Sequence, residues 1–231
     1  MSGDALDAVA VALDTAERDT FRRWCEFFGP RVGVLKVGLE AFVRWGPPAV
    51  EEARRAARQL FLDLKLHDIP NTVAGAVAAA RELGVDYLTV HAAGGAAMLA
   101  AAAEAAAGRV TVLAVTVLTH LDAAELARLD LPGDAATRAA RWARLAREAG
   151  CGGAVCSPRE VAALRAREPR PFALVTPGIR PAGAAAGDQR RVATPRQALA
   201  AGADLLVVGR PLTRAADPAA ALAALAAELV G

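Results

Sequence analysis

The segment LFLDLKLHDIPNT, residues Leu60 to Thr72, ends an apolar run with Asp63, Lys65, His67 and Asp68 inside six positions. Two carboxylates bracket one ammonium. An ammonium is a compact charge that can surrender a proton at accessible pH, whereas a guanidinium does neither. Composition gives this weight: of the 27 basic residues only Lys36 and Lys65 are lysines, so 25 are arginines. In this Ala-rich chain a position that needs only positive charge is Arg, and a retained lysine marks a task Arg cannot do. Both lysines end apolar strand-like runs, and Asn71, the only asparagine, adjoins the second. Asp63 with Lys65 alone would fit a buried salt bridge, which is weak evidence for stability because desolvation offsets attraction. Adding Asp68 leaves excess negative charge around one ammonium, and that points to a tuned site.

Such groups need a frame to aim them. Eight apolar, β-branched runs recur: Ala8–Asp14, Val32–Gly38, Leu60–Lys65, Tyr87–Ala92, Val110–Leu118, Gly153–Ser157, Phe172–Gly178 and Leu205–Arg210. They are nearly continuous rather than alternating, as parallel strands buried on both faces require. Ala/Leu/Arg/Glu-rich segments between them have helical character. Asp14-Thr15, Thr72 and Ser157-Pro158 are candidate helix starts. ELGVDYLTV, EAGCGGAV and AAGADLLVV share a helix end, a Gly cap and a strand. Eight such units predict one α/β domain over residues 1–231, a compact (β/α)8 TIM barrel. The competing fold is an open doubly wound sheet, but no GxGxxG opens the first unit.

A barrel's active site lies at the C-terminal ends of its strands. The sequence puts Asp14, Lys36, Asp63 with Lys65, His91, Thr119 with His120, and Arg210 there. Taken singly, Asp14 is a helix cap, His91 a core histidine, and His120 exposed and incidental. A spacing of two sends Asp63 and Lys65 into the mouth, with Leu62 and Leu64 facing the helices. Gly209 and Arg210 stand where a helix begins, a place where backbone N–H groups and a guanidinium attract phosphate. The longest irregular segment, TPGIRPAGAAAGDQRRVATP, carries Gly178, Arg180, Gly183, Gly187 and Gln189, and is a candidate lid.

Bulk properties exclude other classes. The net charge of +2 comes without any long block of like charge, against a nucleic-acid tail or a membrane patch. No apolar run has the length of a membrane span, and the first residues do not read as a signal peptide. Cys25, Cys151 and Cys156 lack metal-site spacing and read as core filler in a reducing, cytosolic compartment.

DLKLHDIPNTV, with ALD, KVG, TVHAAGG, VTVLT, TPGIRP…GDQRRVATP and VVGRPLT, closely resembles the orotidine 5′-phosphate decarboxylase family. D-x-K-x-x-D alone would indicate only a wider group of phosphosugar barrels; Ile-Pro-Asn-Thr and the Gly-Ile-Arg-Pro…Asp-Gln loop make the match specific. The resemblance implies decarboxylation of orotidine 5′-monophosphate to UMP, with no cofactor and no metal. It implies that Lys65 protonates C6 and that Asp63 lies by the substrate carboxylate. Asp68 and Thr72 would serve a neighbouring subunit's site, which makes a homodimer with shared sites. Asp14 and Lys36 would hold ribose hydroxyls, and Thr119 the pyrimidine. Gln189, Arg210 and the Gly209 amide would bind phosphate, with Arg180 on the closing loop. His67 and His91 would be supporting. Two rivals are a metal-dependent phosphosugar decarboxylase or lyase on the same barrel, and a non-catalytic nucleotide-binding barrel.

Overall fold

The computed structural model describes residues 5–131, 133–181 and 191–230. Eight parallel strands close in chain order into a barrel, with β8 pairing β1. They are β1 (Val9–Ala12), β2 (Val34–Gly38), β3 (Gln59–Leu66), β4 (Tyr87–His91), β5 (Thr111–Val115), β6 (Gly153–Val155), β7 (Ala173–Thr176) and β8 (Leu205–Val208). Around them lie α1 (Arg18–Phe28), α2 (Leu39–Trp45), α3 (Pro47–Ala56), α4 (Pro70–Glu82), α5 (Gly95–Ala106) and α6 (Ala123–Arg128). The set continues with α7 (Ala135–Glu148), α8 (Val161–Arg165), α9 (Pro195–Ala200), α10 (Arg210–Thr213) and α11 (Pro218–Val230). This is the expected (β/α)8 TIM barrel, not the open sheet.

Strand alternation sorts the core in two. Ala10, Val34, Phe61, Leu113, Val175 and Leu205 pack together in the barrel interior. Their neighbours Val9, Val11, Leu35, Leu60, Leu62, Leu206 and Val208 join the larger cluster under the helices. Each fully buried aliphatic or aromatic side chain contributes roughly 1.5–3 kcal/mol, so both layers are needed to hold the ring. Two residues further along, the inward set turns polar: Lys36 follows Val34, Asp63 follows Phe61 and Thr89 follows Tyr87. The charged layer at the mouth is the next layer of the same alternation.

At β3 the alternation breaks. The β3–β4 register shifts between Leu62 and Leu66, and Lys65 has φ 51, in the left-handed region. A side chain other than Gly held there costs about 1–3 kcal/mol. The expected pairing of Asp63 with Lys65 is present, but a bulge rather than a flat strand delivers it.

The Gly caps Gly84, Gly150 and Gly202 all have positive φ, as their pattern predicts. The candidate helix starts differ. Helix α1 begins at Arg18, and Thr15 Oγ1 accepts the Glu17 N–H at 3.1 Å in the preceding turn. Helix α4 begins at Pro70, because Pro suits a first turn, so Thr72 lies inside the helix rather than capping it. Ser157-Pro158 enters a turn instead of a helix: the Glu160 carboxylate accepts the Ser157 N–H at 2.9 Å, and α8 starts only at Val161. The apolar run of unit five outlasts its strand, since β5 ends at Val115 while 116–118 continue beyond the ladder.

Candidate active site

Four charged side chains form an alternating chain across the mouth. Asp14 Oδ1 lies 3.8 Å from Lys36 Nζ, and Lys36 Nζ lies 3.3 Å from Asp63 Oδ2. Asp63 Oδ1 then accepts a hydrogen bond from Lys65 Nζ at 2.8 Å. The side chains of Lys36 and Asp63 are 8% and 14% exposed and those of Lys65 and Asp14 are 32% and 53% exposed, so the cluster is buried in the middle and wetter at both ends. Burial opposes the charge on Lys36, yet Asp63 and then Asp14 outweigh it and hold the ammonium above the ordinary lysine value. Burial likewise pushes Asp63 up, but Lys36 and Lys65, with hydrogen bonds from Lys65 and Thr89, overcome it and bring Asp63 down from 3.8 to about 2. Asp63 is therefore ionised throughout the physiological range.

Backbone chemistry fixes these positions. Buried Thr89 donates its hydroxyl to Asp63 Oδ1 at 2.9 Å and accepts the Lys65 N–H at 2.9 Å. One hydroxyl thus satisfies the amide freed by the bulge and aims the carboxylate. Gly38 leaves room for the Asp14–Lys36 approach: a Cβ there would stand 2.5 Å from Asp14 Oδ1 and 3.1 Å from Lys36 Nζ.

Two adjoining cavities meet at this cluster. One, of about 350 Å³, is polar and is lined by Asp14, Lys36, Asp63, Arg180, Gly209 and Arg210, among others. The other, of about 190 Å³, is lined by Lys65, Val115, Val117, Thr119, Val155 and Cys156. Asp63, Pro177 and Val207 border both. Burial first, and Arg210 next, depress the Arg180 guanidinium, so two cations share one wall of the polar cavity. Such a wall suits a dianion. The site therefore combines a two-arginine end, an Asp14–Lys36 middle and a slot walled mostly by apolar side chains, with Lys65 in the slot.

The sequence profile described as Orotidine 5'-phosphate decarboxylase / HUMPS family matches residues 7–225. This chain belongs to that family. A relative from Thermobifida fusca (strain YX), named orotidine 5'-phosphate decarboxylase, is 58% identical over 223 residues, covering 96% of this chain and 95% of the relative. One of the same name from Anaeromyxobacter sp. (strain K) is 56% identical over 224 residues, with 96% and 98% coverage. The crystal structure of orotidine 5'-phosphate decarboxylase from Lactobacillus acidophilus superposes with a TM-score of 0.83 at 34% identity, covering 96% of this chain and 99% of that one.

For this family member, the structure gathers Asp14, Lys36, Asp63, Lys65, Thr119, Arg180, Gly209 and Arg210 around the two cavities. It does not bring Asp68 or Thr72 there. Asp68 is exposed, accepts the Ile69 N–H at 2.7 Å and makes no ion pair with Lys65 of its own chain. The excess negative charge argued from Asp68 is thus absent within one chain, where two carboxylates balance two ammonium groups. Gln189 lies outside the described residues, as do the other residues of the candidate lid from 182 to 190. His67 and His91 stack with ring centroids 5.4 Å apart, and His91 Nδ1 accepts the Ala93 N–H at 3.2 Å. Burial first, then His67 and Lys65, lower the His91 pKa. His120 is exposed. All three cysteines are buried and free, and burial pushes each thiol up to about 12. Sequence reasoning missed Thr89 and Gly38. Thr89 stands in the same inward layer as Lys36 and Asp63, so strand alternation carried from β2 and β3 into β4 would have found it.

Proposed function

We propose that this chain decarboxylates orotidine 5′-monophosphate to UMP and CO2 in pyrimidine biosynthesis, the activity for which its relatives are named. The observation that carries this reading is Lys65, bonded to Asp63 at the junction of an anion-binding cavity and a largely apolar slot. The phosphate sits against Arg180, Arg210 and the Gly209 amide, with Gln189 as a further ligand. Ribose hydroxyls meet Asp14 and Lys36. The pyrimidine enters the slot beside Thr119, and C6 faces Lys65.

In the reaction the C6–carboxylate bond breaks and its electron pair stays on C6. The Lys65 ammonium stabilises that developing charge and then transfers its proton to C6, forming UMP; solvent reprotonates the amine. Lysine suits both tasks and arginine only the first. Ionised Asp63 keeps Lys65 aimed and stands where the substrate carboxylate departs. Residues of this chain supply every step, with no cofactor or metal.

The site is completed across a homodimer. Asp68 and Thr72 line neither cavity of their own chain, and the segment they belong to exposes Ile69 at 67%. Leu39 and Val43, on the helix after the neighbouring strand β2, are 48% and 79% exposed. Exposed apolar side chains on these neighbouring units, with two residues that line no cavity of their own chain, support a second copy docking there. Three buried free thiols fit a reducing location, the cytoplasm.

An absorbance assay with orotidine 5′-monophosphate, run with and without EDTA, tests the reading. Turnover that survives the chelator is expected. Turnover lost with EDTA would favour the metal-dependent rival, and UMP binding without any turnover would favour a nucleotide-binding barrel.

A further inference from the structure

Arg191 lies in the connection between β7 and α9 and lines neither cavity, yet its guanidinium reaches three consecutive carbonyls of the slot wall. Nη2 donates to Leu118 O at 2.9 Å and to Val117 O at 3.5 Å, and Nε donates to Thr119 O at 3.4 Å. Its Nη1 donates to Glu160 Oε1. The Glu160 side chain is 3% exposed and that of Arg191 12%. The other Glu160 oxygen accepts the Ser157 N–H at 2.9 Å, and Ser157 directly follows Val155 and Cys156, which line the slot from the adjacent strand β6. One Arg–Glu pair therefore ties two adjoining stretches of the slot lining, 117–119 and 155–157, through backbone groups beyond the end of the β5 ladder.

We infer that Arg191 is a positioning residue for the pyrimidine: with Glu160 it holds the adjoining ends of units five and six in place as one side of the slot beside Lys65, and it does not act on the phosphate. The fork is what the task requires. Segment 117–119 has left the sheet, so its carbonyls no longer take their direction from strand pairing. A planar guanidinium spreads five fixed N–H donors over several carbonyls and a carboxylate, whereas an ammonium has three on a single nitrogen. A sheet-like wall could have come from a longer β5, but then Thr119 would lie in the ladder rather than over the slot.

The inference rests on the reading that the slot takes the base and the polar cavity takes the phosphate, and its test separates the two. Affinities for UMP and for ribose 5-phosphate, which lacks the base, are measured by calorimetry for wild type, Arg191→Lys and Glu160→Gln. Wild type should bind UMP more tightly than ribose 5-phosphate; if both bind alike, the slot is not the base site and this inference falls with that assignment. In Arg191→Lys the charge facing Glu160 remains but the fork is lost. Its UMP affinity should fall about tenfold, the size of one charge-assisted hydrogen bond, while ribose 5-phosphate changes by less than about twofold. Glu160→Gln should show the same selectivity with a smaller loss, and it carries the test alone if Arg191→Lys does not fold. Equal losses for both ligands would make the pair a plain support of the fold, and no loss for either would remove Arg191 from recognition; both results overturn the inference.

Discussion

Asp63 offers one oxygen to each lysine, Oδ2 to Lys36 and Oδ1 to Lys65. Its carboxyl falls to about 2 from an unfolded value near 3.8, so the folded state holds the ionised form more tightly than the unfolded chain does. The stability this contributes, on the order of 2 kcal/mol, is complete above about pH 4 and fades as pH falls toward 2. Asp63→Asn should therefore unfold at lower urea than wild type at pH 7, and the gap between the two midpoints should narrow as pH drops through that window. A gap that stays constant with pH would show that packing, not charge, is what Asp63 supplies. At the anion-binding end, Arg210→Ala should weaken UMP about tenfold or more and leave uridine nearly unchanged. Equal losses for the nucleotide and the nucleoside would move the phosphate elsewhere.

Strands β3 and β4 carry the geometry that alternation alone did not reveal. The repeat of two residues predicts that Asp63 and Lys65 share a side, and they do meet. They meet through a left-handed Lys65 and a register shift that no residue type announces, since positive φ usually marks Gly or Asn. The bulge persists because Thr89 satisfies the displaced Lys65 N–H. Thr89→Val keeps the volume and removes that acceptor. It should cost about 1–3 kcal/mol in urea unfolding and lower kcat by about tenfold or more, with a smaller effect on KM. Wild-type kcat would mean that the bulge aims Lys65 without Thr89. The eight strands, the Gly caps and the eight site residues gathered at the mouth were legible in the sequence because burial and backbone limits act locally. The true helix starts at Arg18, Pro70 and Val161 were not: turns before α1 and α8 take hydrogen bonds that a cap would have made, and Pro70 opens α4 two residues before Thr72. Nor was Arg191: its role depends on where the β7–α9 connection returns relative to β5, a fact of tertiary structure alone.

Across the whole molecule, the barrel closes on itself while one stretch of its sequence divides its work. Asp63 and Lys65 belong to their own mouth, and Asp68 and Thr72 lie outside it. The proposed homodimer would reconcile these halves. Lys65→Ala and Asp68→Ala are each expected to be inactive. When they are mixed and allowed to exchange subunits, heterodimers with one intact site should restore activity at about a quarter of all sites. Exchange without recovery would assign Asp68 to its own chain. If the alternating cluster serves to aim a proton-donating ammonium at C6, Lys65→Arg is the sharpest probe of it, since charge is kept and acidity is lost. This variant should bind UMP within about tenfold of wild type while turnover of orotidine 5′-monophosphate falls by roughly a thousandfold or more. A variant that decarboxylates at near wild-type rate would contradict it.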